Sequence, residues 1–313
     1  MNESQQTATP PIVEKEIDLR ELVRVVWAGK WLISAITLSA VIIAVVVALM
    51  LPNIYRAEAL LAPNHEQNAG GLSALASQYG GLASLAGIDF GAGASDKTDL
   101  ALEVLKSRKF VADFIQRHDI LVPLMAASDW DPGADELRYD LDVYDPATNQ
   151  WVRSVSPPRN VVPSSQEAYE EFRERLFVSQ STDSSFVSIA IEYYSPKIAK
   201  QWVDWLVEDI NTTIMLREVS EAEQAIAYLN EQVASTSLAD LKNVFFRLIE
   251  EQTKTVVLAK VSPEYMFRTV DPAVAPELKA KPNRAIIVLL AAMLAGMVSV
   301  AIVLLRNTFS TSK

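Results

Sequence analysis

The chain has 313 residues, 50% of them apolar and 21% charged, with a mean hydropathy of +0.14. That average is too apolar for a simple soluble globule and the charge too dense for a bundle of many spans, so a few membrane spans plus one solvated domain fit. A net charge of −11 argues against a general nucleic-acid role, and the absence of cysteine rules out disulfides, thiolate nucleophiles and cysteine metal sites.

Residues 1–11 are polar and read as a disordered start. Over residues 16–29, Ile17, Leu22, Val25, Val26 and Trp27 interleave with Asp18, Arg20, Glu21 and Arg24, which predicts an amphipathic helix lying on a membrane surface within an N-terminal arm, residues 1–30. Residues 31–51 carry no charge, and a span needs roughly 20 apolar residues. A cleaved signal peptide competes with this reading, but no small-x-small cleavage site precedes Pro52. A second uncharged run, residues 285–305, lies between Arg284 and Arg306 and leaves residues 306–313 as a tail.

Two spans place both ends of the chain on one side. Lys15, Arg20, Arg24, Lys30, Arg306 and Lys313 favour the cytoplasm for that side, with Lys279, Lys281 and Arg284 weighing against it. Trp27, Trp31 and Tyr55 suit interfacial anchors. Residues 52–284 then form one acidic domain on the far side of the membrane.

Within that domain, Tyr55, Ala57, Ala59 and Leu61 alternate with Arg56, Glu58 and Leu60 and predict a strand. Residues 264–270 read as another, and pairing of the two would close the domain where the spans enter and leave. The stretch Gly70-Gly71-Leu72-Ser73-Ala74-Leu75-Ala76 recurs as Gly80-Gly81-Leu82-Ala83-Ser84-Leu85-Ala86. Its period is too short for a solenoid; a plain loop and a membrane- or glycan-facing segment remain the two readings. Residues 96–118 are predicted helical, with Leu100, Val104, Leu105, Val111 and Ile115 inward. Residues 165–176 give a shorter helix and residues 177–193 a hairpin.

Residues 197–262 contain neither glycine nor proline. Ser195 and Pro196 mark a helix start, and the stripe Ile198, Trp202, Leu206, Ile210 and Ile214 continues through Val219, Ala222, Ile226, Leu229 and Val233. A helix to about residue 234 rises roughly 60 Å. Ser237 and Asp240 form a candidate capping box for a second helix bearing Leu241, Val244, Phe245, Leu248, Ile249 and Val256. Periodicity of this length outside a membrane points to assembly, so Ile210 and Ile214 are expected on a face that a neighbouring subunit covers.

Chemistry is sparse. His65 and His118 have no metal-pair spacing, and the acidic stretch over residues 129–136 departs from a calcium loop, since Gly133 comes one position early and Pro132 interrupts it. Neither a phosphate loop nor a nucleophile elbow occurs, so no catalytic residue, metal or cofactor is expected.

Three stretches carry a resemblance: Glu16-Ile17-Asp18-Leu19-Arg20-Glu21-Leu22, Ala101-Leu102-Glu103-Val104-Leu105-Lys106-Ser107-Arg108, and above all Tyr265-Met266-Phe267-Arg268-Thr269-Val270-Asp271-Pro272-Ala273-Val274-Ala275-Pro276 before the second span. With the two-span layout they resemble the Wzz family of polysaccharide co-polymerases, over nearly the whole chain. Pro272, Pro276 and Pro282 stop the preceding strand and stiffen the approach to the membrane; a mere linker is the other reading. Where the family commonly has G-x-x-x-G, this chain has Ala292 and Gly296, with Ala295 and Ser299 beside them, small residues that still allow spans to pack closely.

The resemblance implies an α+β membrane protein with an α/β base and long helices reaching into the periplasm of a bacterium. It also implies a homo-oligomer in the inner membrane, working beside a Wzy-type polymerase on undecaprenyl-pyrophosphate-linked glycan to set the chain length of a polysaccharide such as O-antigen. The tyrosine-kinase relatives carry a cytoplasmic nucleotide-binding domain, which residues 306–313 could not supply. A sensor would need an output module there, and a periplasmic adaptor of an export complex stays open as the alternative.

Overall fold

The computed structural model describes residues 19–64, 93–181 and 184–311. The polar start, His65 and the repeated glycine-rich stretch lie outside the described residues. The chain divides into two compact units, Pro52–Lys281 and the pair of segments Met1–Leu51 and Pro282–Lys313.

The larger unit is organised on a four-stranded antiparallel sheet. Its strands are β1 (Tyr55–Pro63), β6 (Leu176–Gln180), β7 (Val187–Tyr193) and β8 (Phe267–Asp271), in the order β6-β7-β1-β8. Alternation in β1 buries Ala57, Ala59 and Leu61 on one face and leaves Arg56 and Glu58 on the other. β7 is central and buried almost throughout. The predicted closure is present: Leu61 pairs with Thr269 and Pro63 with Phe267, and Ile54 exchanges backbone hydrogen bonds with Lys281.

Helices α3 (Gly93–Lys106), α4 (Arg108–Arg117), α5 (Leu121–Ala126) and α6 (Ser165–Arg175) surround this sheet, with the short hairpins β2 (Ala127–Asp131)/β3 (Glu136–Tyr139) and β4 (Tyr144–Asp145)/β5 (Gln150–Trp151) between α5 and α6. The single helix expected over residues 96–118 is two. Ser107 leaves helical geometry, and its hydroxyl accepts from the Phe110 N–H at 3.2 Å, so the residue that could have continued α3 caps α4 instead. Leu100, expected inward, is exposed, whereas Leu105, Val111 and Ile115 are buried.

Helix α7 (Pro196–Ser235) starts as its sequence dictates, with the Ser195 hydroxyl accepting from Ile198 N–H and proline in the first turn. Its first half lays Ala199, Trp202, Val203, Leu206 and Ile210 against the sheet, and Trp202 packs with Tyr193 and Phe172 at ring separations of 4.5 and 6.1 Å. Helix α8 (Ala239–Val261) returns along α7, as the Lys260–Glu223 ion pair records. The Ser237/Asp240 capping box does not form: Leu238 is the N-cap residue and no side chain caps the helix. The turn instead closes through backbone bonds, Thr236 N–H to Gln232 O and Lys242 N–H to Leu238 O.

One polar side chain ties these layers together. Asn211, 3% exposed, accepts from the backbone N–H of Met266 and of Phe267, both at 2.8 Å, and donates to Phe267 O at 3.0 Å and Val207 O at 3.1 Å. An amide satisfied in this way fixes α7 to the start of β8 and holds the strand in register with β1.

The smaller unit contains α1 (Leu19–Ala28), α2 (Lys30–Met50) and α9 (Arg284–Thr311). Lys30–Met50 and Arg284–Asn307 are long and apolar enough to cross a membrane. α2 buries Ala44 and Ala48, and α9 buries Ser299 and Val303; at one end Arg284 donates to the carbonyls of Ala48 and Leu51.

Asn211→Ala leaves two buried N–H groups and a buried carbonyl without partners, at about 1–3 kcal/mol each. The variant should lose on the order of 3 kcal/mol, read as a lowered urea midpoint for protease resistance of residues 52–281 in the full-length protein. A change within about 0.5 kcal/mol would mean that the amide is dispensable.

Candidate functional site

Polar groups converge in the larger unit on a cleft of about 750 Å3 beside β6, an outer strand of the sheet. Five elements supply it. β1 contributes Arg56, the end of α3 Glu103 and Lys106, α4 Val111, α6 Tyr169 and Arg173, and β6 Phe177 and Ser179.

Local chemistry positions each of these side chains. The Arg56 guanidinium lies 5.2 Å from the Phe177 ring centre, and the Lys281 ammonium 5.4 Å from the same ring. Glu192 holds both cations in place, at 2.6 Å from Lys281 and 3.9 Å from Arg56, while Glu58 binds Arg56 at 3.2 Å and accepts from Ser188. Tyr169 donates to Lys106 O at 3.2 Å and lies under the Arg108 guanidinium. Arg173 has no ion-pair partner among the described residues, and the carboxylate of Glu103, 3.5 Å from Lys106, is largely solvated.

Helix α6, which carries Tyr169 and Arg173, is held by a capping box. Ser164 Oγ accepts from Glu167 N–H, and the Glu167 carboxylate accepts from Ser164 N–H and from both terminal nitrogens of Arg153, at 2.9–3.0 Å. The Arg153 hydrogen bonds, then the Ser164 N–H, lower the Glu167 pKa to about 2.

Cationic donors, hydroxyls and two aromatic faces in one cleft suit a polyhydroxylated or anionic ligand held by hydrogen bonds and stacking. None of the described residues forms a cluster able to hold a metal ion. His118 is structural: its ring stacks on Trp205 at 4.2 Å and bonds Asp209 at 3.0 Å, with Arg117 on the same carboxylate. In the acidic stretch, Asp131 binds Arg138 and the Gly133 N–H, and Asp135 binds Lys197 and Trp130.

The residues singled out from sequence do not converge on this cleft. Ile210 and Ile214 are 0% and 4% exposed within the chain's own core, so they are not a face left for a neighbouring subunit; α7 presents them to the sheet and to β8. Pro272 is exposed directly after β8, and Pro276 is half-buried in the irregular segment that leads to the Ile54–Lys281 bridge; Pro282 follows that bridge. Ala292 and Gly296 are half-buried in α9, but a Cβ on Gly296 would meet nothing within 4 Å. The tight glycine contact is elsewhere. A Cβ on Gly29 would lie 2.5 Å from Val303 Cγ1, so α9 approaches the junction of α1 and α2 closely at this glycine.

Sequence reasoning missed Arg56, Lys106, Tyr169, Arg173 and Phe177 because they are scattered over residues 56–177 with no common spacing. Arg56, Tyr169, Arg173 and Phe177 fell inside predicted strands and helices and Lys106 inside a stretch that carried the resemblance, but nothing in the sequence drew them together.

Comparison with known proteins gives two family matches. The Wzz model, described as chain length determinant protein, matches residues 15–118, and the GNVR model, described as G-rich domain on putative tyrosine kinase, matches residues 241–308. Among solved structures, a full-length bacterial polysaccharide co-polymerase aligns over 94% of this chain and 99% of its own, at 15% identity and a TM-score of 0.39. A fragment of WzzB, a polysaccharide co-polymerase from Salmonella Typhimurium, aligns over 73% of this chain and 100% of its own, at 13% identity and a TM-score of 0.30. No curated protein matches the sequence.

The Glu167 carboxylate is stabilised in its charged form by folding, so its contribution is complete above its unfolded pKa of about 4.3 and is lost as the pH falls towards about 2. The protection of amides across residues 152–164, taken relative to the intrinsic exchange rate at each pH, should therefore fall between about pH 4 and pH 2. Glu167→Gln should remove that acid-dependent step; an unchanged pH profile in the variant would assign the step to another group.

Proposed function

We propose that this chain, which carries a Wzz chain length determinant domain and a GNVR domain, sets the length of a surface polysaccharide as an oligomeric inner-membrane co-polymerase. It does so beside a Wzy-type polymerase, on undecaprenyl-pyrophosphate-linked glycan, with lipopolysaccharide O-antigen as the favoured polymer. The protein acts by binding and holding rather than by making bonds. The cleft beside β6 is its glycan-facing site, where Arg173 and Lys106 offer donors and Tyr169 and Phe177 offer faces for sugar rings.

The observation that carries the assembly part is the surface of the helical hairpin. α8 exposes Leu241 and Val244, three residues apart on one flank, and Phe246 and Val257, eleven residues apart on another. At 3.6 residues per turn, Val244 and Phe246 point about 200° apart. Apolar side chains on two flanks cannot be buried by one self-complementary contact. They suit a head-to-tail contact, in which one flank of each hairpin meets the other flank of the next, and such contacts form a ring when the rotation between neighbours closes.

A periplasmic adaptor of an export complex is the second reading, favoured by the length of the hairpin alone. Deletion of the gene separates the two on a polysaccharide gel. Loss of a length regulator broadens the size distribution, whereas loss of an export adaptor lowers the amount at the surface.

Val244→Asp and Phe246→Asp, introduced singly, should each abolish the high-order oligomer and leave chain length unregulated, because a head-to-tail contact uses both flanks. Size-exclusion chromatography of the detergent-purified variants and the polysaccharide gel are the measurements; a normal oligomer with normal lengths in both variants would remove the hairpin from assembly. Reporter fusions at either end should report the cytoplasm, and an external Lys313 would reverse the topology.

A further inference from the structure

At one end of the span pair, in the smaller unit, Arg24, Val25, Gly29, Trp31, Val303 and Arg306 line a pocket of about 600 Å3. Among the described residues no carboxylate lines it, and neither arginine has an ion-pair partner. Two arginines from different helices, α1 and α9, therefore line one pocket together with Val25 and Val303, in a chain whose net charge is −11. The absent Cβ of Gly29 lets Val303 close against the α1–α2 junction, where a Cβ would lie 2.5 Å from Val303 Cγ1.

Trp31 is 81% exposed, and Trp27 is also exposed with the Lys30 ammonium 5.2 Å from its ring centre. Indole rings flanked by cations at the end of an apolar span settle at the depth of lipid headgroups, so the pocket opens where phosphates are dense.

We infer that this pocket binds the phosphate of an anionic glycerophospholipid from the leaflet at that end of the spans. The arginine pair matches a phosphate diester that carries no cation of its own, whereas the ammonium of a zwitterionic headgroup would be repelled by the same pair. Val25 and Val303 offer the first carbons of an acyl chain an apolar surface. The inference rests on α2 and α9 spanning a membrane, and not on the assembly or glycan readings.

The test uses the full-length protein in dodecyl maltoside micelles, with native mass spectrometry counting retained lipid as phosphatidylglycerol or phosphatidylcholine is titrated in. Phosphatidylglycerol should bind at least tenfold more tightly than phosphatidylcholine. The double variant Arg24→Gln/Arg306→Gln should bring it down to the phosphatidylcholine level, and each single variant should weaken it. Arg24→Lys/Arg306→Lys keeps the charge without the planar fork and should fall between; it supplies the decisive comparison if the glutamine pair fails to fold. Equal retention by wild type and either double variant would overturn the assignment. Undecaprenyl phosphate, added in competition, should displace phosphatidylglycerol no better than its own charge allows. Displacement at a tenfold lower concentration would reassign the pocket to an isoprenoid carrier and overturn the glycerophospholipid.

Discussion

The fold of the larger unit depends on one amide. Asn211 is the point at which the 40-residue helix α7 is joined to a strand more than fifty residues later, and its four hydrogen bonds leave it no freedom to slide. Apolar contacts alone would hold α7 against the sheet without fixing its position along its own axis, since the hydrophobic effect is not directional. The amide supplies the direction. Because β8 pairs with β1, the register of the helix, of the strand after the first span and of the strand before the second are set together.

The helix divides its apolar surface between two uses. Up to about Ile214 its stripe belongs to the sheet, with Trp202, Leu206 and Ile210 fully buried, and beyond it α8 takes over. This resolves why a 60 Å amphipathic helix can be stable in one chain: a second helix from the same chain covers most of what the sheet cannot reach. What remains uncovered lies on both helices of the hairpin: Leu216 and Tyr228 on α7 are more than half exposed, and Val244, Phe246 and Val257 on α8 are each about half exposed. The apolar excess inferred from helix length is therefore real, but it is shared between α7 beyond Ile214 and its return partner.

Much of this was legible in the sequence. β1 and β7 follow period two, α7 begins at a serine–proline pair, and the spans are uncharged runs, so local chemistry and tertiary role agree at each of these places. The failures have physical reasons. Ser107 lies in a run with no glycine or proline, yet its hydroxyl caps α4 better than its backbone extends α3. Ser237 looks like a cap, but the turn closes one residue later through backbone bonds. Ile210 and Ile214 show the limit of periodicity, which identifies an apolar stripe without naming its cover. Nothing in the sequence marks Gly29 as a packing residue, because a glycine's role in packing depends on a partner, here Val303, that is 274 positions away in the chain.

The bridge between Ile54 and Lys281 stitches the entry and the exit of the larger unit together through its own backbone. Such a unit is an insert in the genetic sense, a closed piece of folding information set between two flanking segments. Exchange of the flanking helices for unrelated ones leaves the sheet, the amide at Asn211 and the hairpin untouched. The membrane segments are thus free to drift with whatever they meet in the bilayer, on a schedule independent of the domain they carry.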